Sequence, residues 1–358
     1  EIIDYSKYQL FIGGHMQHKI TKPSRLLDKK GKLMQKGYAL SPILTYYRKD
    51  VARKLRLKEW DYYLIYNQKY AVALTVAQSV NIVLLSASFI DFSKAAEKTK
   101  SLFRIVSRKK FCMPESSVEG DILYQDSEVN LSFKQEATAR KLNFKIKNFD
   151  NGTKFDASLE LRREPKDSMV IATPFNENPK DFYYNRKIIG MKAYGTVRYN
   201  GNNYNFLPMD TFAVLDWGRG VWPYRTTWFW GVGQGTIWGN SFGFNLGYGF
   251  GNTSAASENM LFFNGRAHKI NNVKFNIPTD KNNQYDYRKP WTITSSDHRL
   301  NMKFVPIIDR KTHLSALFLS THQHQVFGRY SGTAILDDDT TIYFNNFMGF
   351  AERVVNRW

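Results

Sequence analysis

Leu142-Asn143-Phe144-Lys145-Ile146, then Asp150-Asn151-Gly152, then Phe155-Asp156-Ala157-Ser158-Leu159-Glu160-Leu161 is the stretch that decides the fold class. Apolar side chains recur at every second residue in both arms, the period of a strand with one face buried. The Asn-Gly pair between the arms suits a two-residue hairpin turn, because both residues tolerate positive φ. A second hairpin reads Val197-Arg198-Tyr199, turns at Asn200-Gly201 and returns through Tyr204-Asn205-Phe206. Further strands are expected at Tyr62–Tyr66 with Tyr70–Ala77, near Val129–Phe133, and at Thr341–Phe344. The run from Ile82 to Ile90, broken by Ser86 and Ser88, suits a buried strand and is too short to cross a bilayer as a helix.

Helix is scarce. Ser93 is a plausible N-cap for a helix running through Ala95, Ala96 and Glu97 towards Phe103, and a shorter one is expected after Asp50. Many short strands with frequent turn signals make this an all-β chain. At 358 residues it exceeds what one core comfortably holds. The prolines and turn formers of Arg163–Asn185 place a boundary there, giving domains at 1–170 and 171–358. Tyr46-Tyr47-Arg48-Lys49 faintly echoes Tyr183-Tyr184-Asn185-Arg186-Lys187, as a duplication would.

The net charge is +19. Lys and Arg outnumber Asp and Glu by 12 in residues 1–170 and by 7 in the remainder, so the excess is spread over both halves. A diffuse basic surface is compatible with weak attraction to anionic membrane surfaces. No nucleic-acid reading motif accompanies it, so specific nucleic-acid binding is not expected. The single cysteine, Cys112, excludes an intrachain disulfide and a cysteine-only zinc site. The opening residues Glu1–Tyr5 lack the pattern of a signal peptide, and a cytoplasmic location is the expectation.

Chemistry is most concentrated between Asp216 and Gly251. Five of the eight tryptophans fall between Trp217 and Trp238, and ten of the 23 glycines between Gly218 and Gly251. Glycine weakens strands, so such density needs a reason. Either the backbone is bared for tight barrel closure, or aromatic rings wall a pocket for an apolar ligand. The second reading takes Trp217, Trp222, Tyr224, Trp228 and Trp230 as the walls. Asp216 and Arg219 are then the charged pair inside them, Asp216 moving a proton and Arg219 holding an anionic group; the bland alternative is a structural ion pair. Asn245, Glu258, Asn259 and His268 are further polar candidates.

Gly239-Asn240-Ser241-Phe242-Gly243 matches the nucleophile-elbow pattern. That chemistry needs a helix after the serine, and Phe244–Gly249 does not read as one, so Ser241 is expected in a strand. His322 and His324 share one strand face at a spacing that can bind metal. Without an evident third ligand they are read as packing or hydrogen-bonding groups, and no metal or other cofactor is expected.

Several of these stretches also carry a resemblance. Lys58-Glu59-Trp60-Asp61-Tyr62-Tyr63, Phe182–Lys187, Asp216–Gly220, Asn245–Gly251, Glu258-Asn259, His268-Lys269, Pro290-Trp291, His324–Gly328 and Arg357-Trp358 resemble the bacterial family catalogued as domain of unknown function 2804. More distantly, the chain looks like the two-domain lipocalin-like (calycin) superfamily of carotenoid hydratases and Diels–Alder cyclases. That likeness implies two lipocalin-like barrels or half-barrels packed together, with an apolar pocket. Hydratase-type members pair an aspartate with a histidine near a tryptophan, where this chain has Asp216-Trp217-Gly218-Arg219. The expected function is binding or carriage of a lipophilic, anionic-compatible small molecule. The alternative is an enzyme acting on one by proton transfer, isomerisation or cyclisation.

Overall fold

The computed structural model describes residues 17–316 and 319–357, with side chains outside 314–319. Glu1–Tyr5 and Trp358 lie outside the described residues. Strand accounts for 63% of the described residues, and no α-helix occurs among them. The strands fall into two curled antiparallel half-barrels.

The first half-barrel is built from β2 (Gly37–Ala39), β4 (Leu57–Tyr66), β5 (Tyr70–Ser79), β6 (Ile82–Asp91), β7 (Ala96–Ile105), β8 (Ile122–Gln125), β9 (Val129–Gln135), β10 (Ala139–Asp150), β11 (Thr153–Arg162), β12 (Met169–Pro174), β13 (Phe182–Tyr199), β14 (Asn202–Phe206) and β15 (Phe212–Val221). A two-residue parallel pair, β1 (Ser24–Arg25) with β3 (Leu44–Thr45), sits outside it. The second half-barrel holds β16 (Arg225–Ile237), β17 (Asn240–Tyr248), β18 (Met260–Phe263), β19 (Arg266–Lys269), β20 (Val273–Asn276), β21 (Trp291–Ser295), β22 (Leu300–Ala316), β23 (Leu319–Ile335) and β24 (Thr341–Arg357).

The Asn-Gly hairpins form as the sequence requires. Asn151 and Gly152 have φ of 46° and 86°, Asn200 and Gly201 of 50° and 74°, the left-handed pair that matches strand twist. They join β10 to β11 and β13 to β14. β4 pairs with β5 from Lys58 to Tyr66, as its alternation predicts.

The helix expected from Ser93 does not form. Residues 92–95 make a turn held by Asp91, whose Oδ1 accepts from Ser93 N, Ser93 Oγ and Lys94 N. Ala96–Ile105 then runs as β7 along the whole of β6. Long-range pairing outweighs the local helix preference, and the inward side chains of β7 are used. Lys98 pairs with Asp150, and Arg104 with Asp126 and Glu128, drawing this edge towards the β8–β10 side. After Tyr47 the chain makes two single 3-10 turns, Arg48–Asp50 and Lys54–Arg56, rather than an α-helix.

The Pro-rich segment 163–185 leads from β11 into β12 and β13 of the same sheet, and the change of sheet comes between Val221 and Arg225. The Tyr-Tyr echo has no structural counterpart, since Tyr46–Lys49 lies in a loop and 3-10 turn whereas Tyr183–Lys187 lies in β13.

Alternation divides the buried residues into three groups. One fills the first half-barrel, with Ile65, Leu74, Phe144, Leu215 and Trp217; a second fills the other, with Phe244, Trp291, Phe304 and Tyr330. The third joins the two outer faces, bringing Leu64, Tyr66, Ile189 and Val214 against Trp230, Val232, Phe262 and Phe350. In β16 the glycines serve the second interior: a Cβ on Gly233 would lie 2.5 Å from Phe244 Cζ, and one on Gly235 2.6 Å from Phe347 Cζ. Three of the ten glycines between Gly218 and Gly251, namely Gly231, Gly233 and Gly235, thus serve tight closure over aromatic rings. Gly233→Ala is expected to overpack this core and cost about 1–3 kcal/mol in chemical denaturation; a variant as stable as the parent would show that the rings are loosely held.

Candidate functional site

β15 is buried along its whole length, from Phe212 to Val221. It lies between β13 and β4 in one sheet, and its outer face meets the second half-barrel. Successive side chains of a strand point to opposite faces, so Asp216 and Arg219, three apart, cannot share a side. The sequence-based pairing of the two does not occur, because strand parity separates them.

Arg219 points into the first half-barrel and is fully buried. Its Nη1 donates to the carbonyls of Trp60 (2.7 Å) and Gly218 (2.8 Å) and to Asp61 Oδ1 (3.1 Å), and its Nη2 to Pro114 O (2.8 Å). The guanidinium rests 4.1 Å from the centre of the Trp217 ring. Glu59 lies 3.8 Å from its Nε and also binds Arg48 and Arg108. Burial opposes charge on Glu59, but these arginines more than offset it and hold its carboxyl below the usual range. Burial raises that of Asp61. The adjoining cavity, bounded by Asp61, Tyr63, Pro114, Ser117 and Arg140, encloses about 10 Å³, room for about one water. Arg219 and Trp217 are thus packed inside the first half-barrel, and the guanidinium is held by main-chain carbonyls and carboxylates of the chain itself.

Asp216 points the other way, between the half-barrels. Its Oδ1 accepts from Asn185 Nδ2 (2.6 Å) and Lys187 Nζ (3.1 Å), and its Oδ2 from Trp60 Nε1 (3.1 Å). Lys187, also buried, sits 4.1 Å from the Trp230 ring centre and 5.5 Å from that of Phe250. Its ammonium donates to Tyr183 OH at 3.3 Å, and Tyr183 OH donates to Glu258 Oε2 at 3.3 Å. Burial, reinforced by Asp216 and opposed by Lys187, raises the pKa of Glu258. Gly247 makes room for this carboxyl, since a Cβ there would stand 2.5 Å from Glu258 Oε1. Gly218 does the same for the Trp60 indole, which would meet a Cβ at 2.0 Å.

A second acid faces the same cleft from β24. Glu352 Oε1 accepts from Trp228 Nε1 (3.0 Å), and Oε2 from Gln323 and Gln325 (3.1 Å each). Burial pushes its pKa up to about 6. Gln325 also donates to Tyr62 OH, at 3.2 Å, tying the two sheets together. Around these groups Trp60, Trp222 and Trp228 stand in series at ring distances of 5.9 and 5.5 Å, with Tyr183 stacked on Phe250 at 5.1 Å. Trp60, Tyr62 and Trp228 remain half-buried beside these buried polar groups. Asn185 Oδ1, Trp222 Nε1 and Glu258 Oε1 are buried without a hydrogen-bond partner among the described residues.

The structure thus brings Asp216, Trp222, Trp228, Trp230, Asn245 and Glu258 together. Asn245 bridges Trp230 Nε1 (2.8 Å) to the Glu258 carbonyl (2.9 Å). Asn259 instead ties Gly247 N to Asn271 O. Tyr224 is exposed where the chain crosses between sheets. His268 accepts from Asp337 N at 3.2 Å on the rim of the second half-barrel. Ser241 lies in β17, as expected of a non-catalytic serine. His322 Nδ1 is 2.9 Å from His313 Nδ1, while His324 binds Asp309 and stacks on Tyr287. No cluster of three or more His, Cys, Asp or Glu that could hold a metal occurs among the described residues.

Lys187, Tyr183, Asn185, Trp60, Tyr62, Gln325 and Glu352 went unassigned by the sequence. A signal existed: Tyr183, Asn185 and Lys187 alternate, so they share one strand face, and a lysine there needs a partner.

Two curled half-barrels joined across their outer faces, with a polar, aromatic-walled cleft at the join, define a lipocalin-like two-half-barrel protein. The chain belongs to the family described as domain of unknown function DUF2804, whose model matches residues 17–358. Among solved structures, a Nitrosomonas europaea protein provisionally named AttH is similar at 12% identity, over 88% of this chain and 98% of its own, with TM-score 0.55. Kievitone hydratase from Nectria haematococca is 10% identical over 94% of this chain and 98% of its own, with TM-score 0.46. The first is a likeness of fold alone. No curated protein matches in sequence.

Two outcomes follow. Arg219→Lys keeps the charge but loses the planar fork, so thermal and chemical unfolding are expected to show a loss of about 2–4 kcal/mol; unchanged stability would contradict the structural role. Glu352 is an acid whose folded pKa is raised from 4.5 to about 6. Its stabilising neutral form is present below pH 4.5 and lost as pH rises to about 6, lowering stability by about 2 kcal/mol. In Glu352→Gln that fall should vanish from a pH series of unfolding midpoints; an unaltered series would place the titration elsewhere.

Proposed function

We propose that the protein binds a lipophilic small molecule bearing a neutral polar group in the cleft between the half-barrels. The observation that carries this reading is the set of half-buried rings, Trp60, Tyr62 and Trp228, standing over a buried Lys187–Asp216 pair. Rings of this kind supply apolar contact area, and a few fixed polar groups supply orientation. Asn185 Oδ1 and Glu258 Oε1 are acceptors and Trp222 Nε1 a donor without partners, which suits a ligand hydroxyl or carbonyl. Lys187 is already matched by Asp216, and Arg219 is sealed on the far face, so the cleft favours a neutral group over a carboxylate. The single cysteine accords with a cytoplasmic place of action. No helix among the described residues is long and apolar enough to cross a membrane.

Glu352 supports a second reading, an enzyme that protonates its ligand. A carboxyl titrating at about 6 beside an aromatic-walled cleft is poised as a general acid near neutral pH. Proton delivery to a double bond would serve isomerisation, cyclisation or water addition.

Retinol, a polyene alcohol that quenches tryptophan emission, is the probe. Trp228→Ala should weaken its binding by about tenfold or more, corresponding to about 1.4 kcal/mol, while Arg219→Lys leaves affinity per folded molecule unchanged. Equal affinity in Trp228→Ala, or loss in Arg219→Lys, would move the site out of the cleft. Turnover of a bound polyene that disappears in Glu352→Gln, with binding retained, would establish the enzymatic reading.

A further inference from the structure

We infer that one end of the first half-barrel is a docking surface for an anionic lipid bilayer, continuous with the cleft. The inference comes from strand register. On the outer face, Gly218 pairs with Trp60, Trp60 with Ala77, Ala77 with Leu84, and Leu84 with Phe103. The next row runs Lys58, Ser79, Ile82, Ile105. The second half-barrel reaches only part of this face: Arg310 of β22 meets Thr99 of β7, and Ala73 and Ile90 join the inter-sheet core. Beyond that contact the rows emerge into solvent. Ile105 is 91% exposed, Phe103 55% and Ile82 51%. Leu55, in the 3-10 turn leading into β4 at the same end of the sheet, is 81% exposed.

Single exposed apolar residues are ordinary, but four at one end of one sheet, two of them cross-strand partners, form a patch that needs an occupant. Charge identifies it. Residues 51–58, 79–90 and 98–114 contain no Asp or Glu, while Lys54, next to Leu55 in the chain, and Lys109 and Lys110, a few residues after Ile105, are exposed. Exposed apolar tips among lysines, in segments without acids, are the chemistry of insertion at an anionic headgroup layer. An acidic nucleic acid would use the lysines and leave Ile105 and Phe103 in water. A bilayer also supplies what the cleft is proposed to take: a lipophilic molecule entering at Phe103 would pass over Leu84 and Ala77 to reach Trp60 without crossing a charged side chain. That delivery role rests on the cleft reading; the docking itself does not.

The test is vesicle co-sedimentation of the full chain. Vesicles of equimolar phosphatidylglycerol and phosphatidylcholine should retain the protein, and pure phosphatidylcholine should retain it several-fold less. Phe103→Ser with Ile105→Ser should reduce binding to the mixed vesicles by at least about tenfold, with an unchanged circular dichroism spectrum because both positions are exposed. Lys109→Glu with Lys110→Glu should weaken binding, and Lys281→Glu on the second half-barrel should not. Binding that survives the serine substitutions would reduce the interaction to general adsorption of a basic protein and overturn the proposal. So would a concentration-dependent dimer that dissociates in the serine variant, which would assign the patch to a second copy of the chain. Retinol transfer from vesicles separates the two claims: docking lost with soluble retinol affinity intact faults only the surface, and the reverse faults only the cleft.

Discussion

A strand without a solvent face sets the terms for the rest of the molecule. Every residue of β15 is buried, so each polar side chain on it must find its partners on the side to which alternation sends it. Arg219, sent inward, is consumed by Asp61, Glu59 and three main-chain carbonyls. Asp216, sent outward, meets Lys187, Asn185 and Trp60. One strand thus organises an ionic cluster inside one half-barrel and a second, polar cluster between the two half-barrels.

The consequence for function is a division of labour between two charged clusters that look alike in sequence. The inner one adjoins a pocket with room for about one water, and its arginines are committed to Glu59, Asp61 and Glu164. The outer one has half-buried aromatic rings beside it; acids whose pKa is raised by burial and polar atoms without partners occur in both clusters. Burying an ion pair is a weak route to stability, and Lys187 and Asp216 form one between the half-barrels, next to the half-buried Trp60.

Much of the fold was legible because it is encoded locally. Period-two patterning and the Asn151-Gly152 and Asn200-Gly201 turns specify hairpins from short stretches, and the structure forms them with the positive φ they permit. The density of Trp and Gly between Asp216 and Gly251 correctly marked where aromatic rings gather, though it mixed two causes. Gly231, Gly233 and Gly235 accommodate rings inside the second half-barrel, while Gly218 and Gly247 accommodate Trp60 and Glu258 in the cleft. What escaped was long-range: Trp60 reaches Asp216 across 156 positions, and Gln325 reaches Tyr62 across 263. No local pattern announces such pairings. The face of each charged residue was readable, however, since an odd spacing in a strand separates Asp216 from Arg219 and an even one unites Tyr183, Asn185 and Lys187. The Ser93 helix failed for the complementary reason, a local preference overruled by ten residues of pairing with β6.

The central claim, that Asp216 belongs to the inter-sheet cleft with Lys187 and not to Arg219, is tested most directly by two double-mutant cycles measured by chemical denaturation. The first combines Asp216→Leu with Lys187→Met, the second Asp216→Leu with Arg219→Met. The account predicts coupling of about 1–3 kcal/mol in the first cycle and additivity within about 0.5 kcal/mol in the second. Coupling between Asp216 and Arg219, or additivity between Asp216 and Lys187, would contradict it.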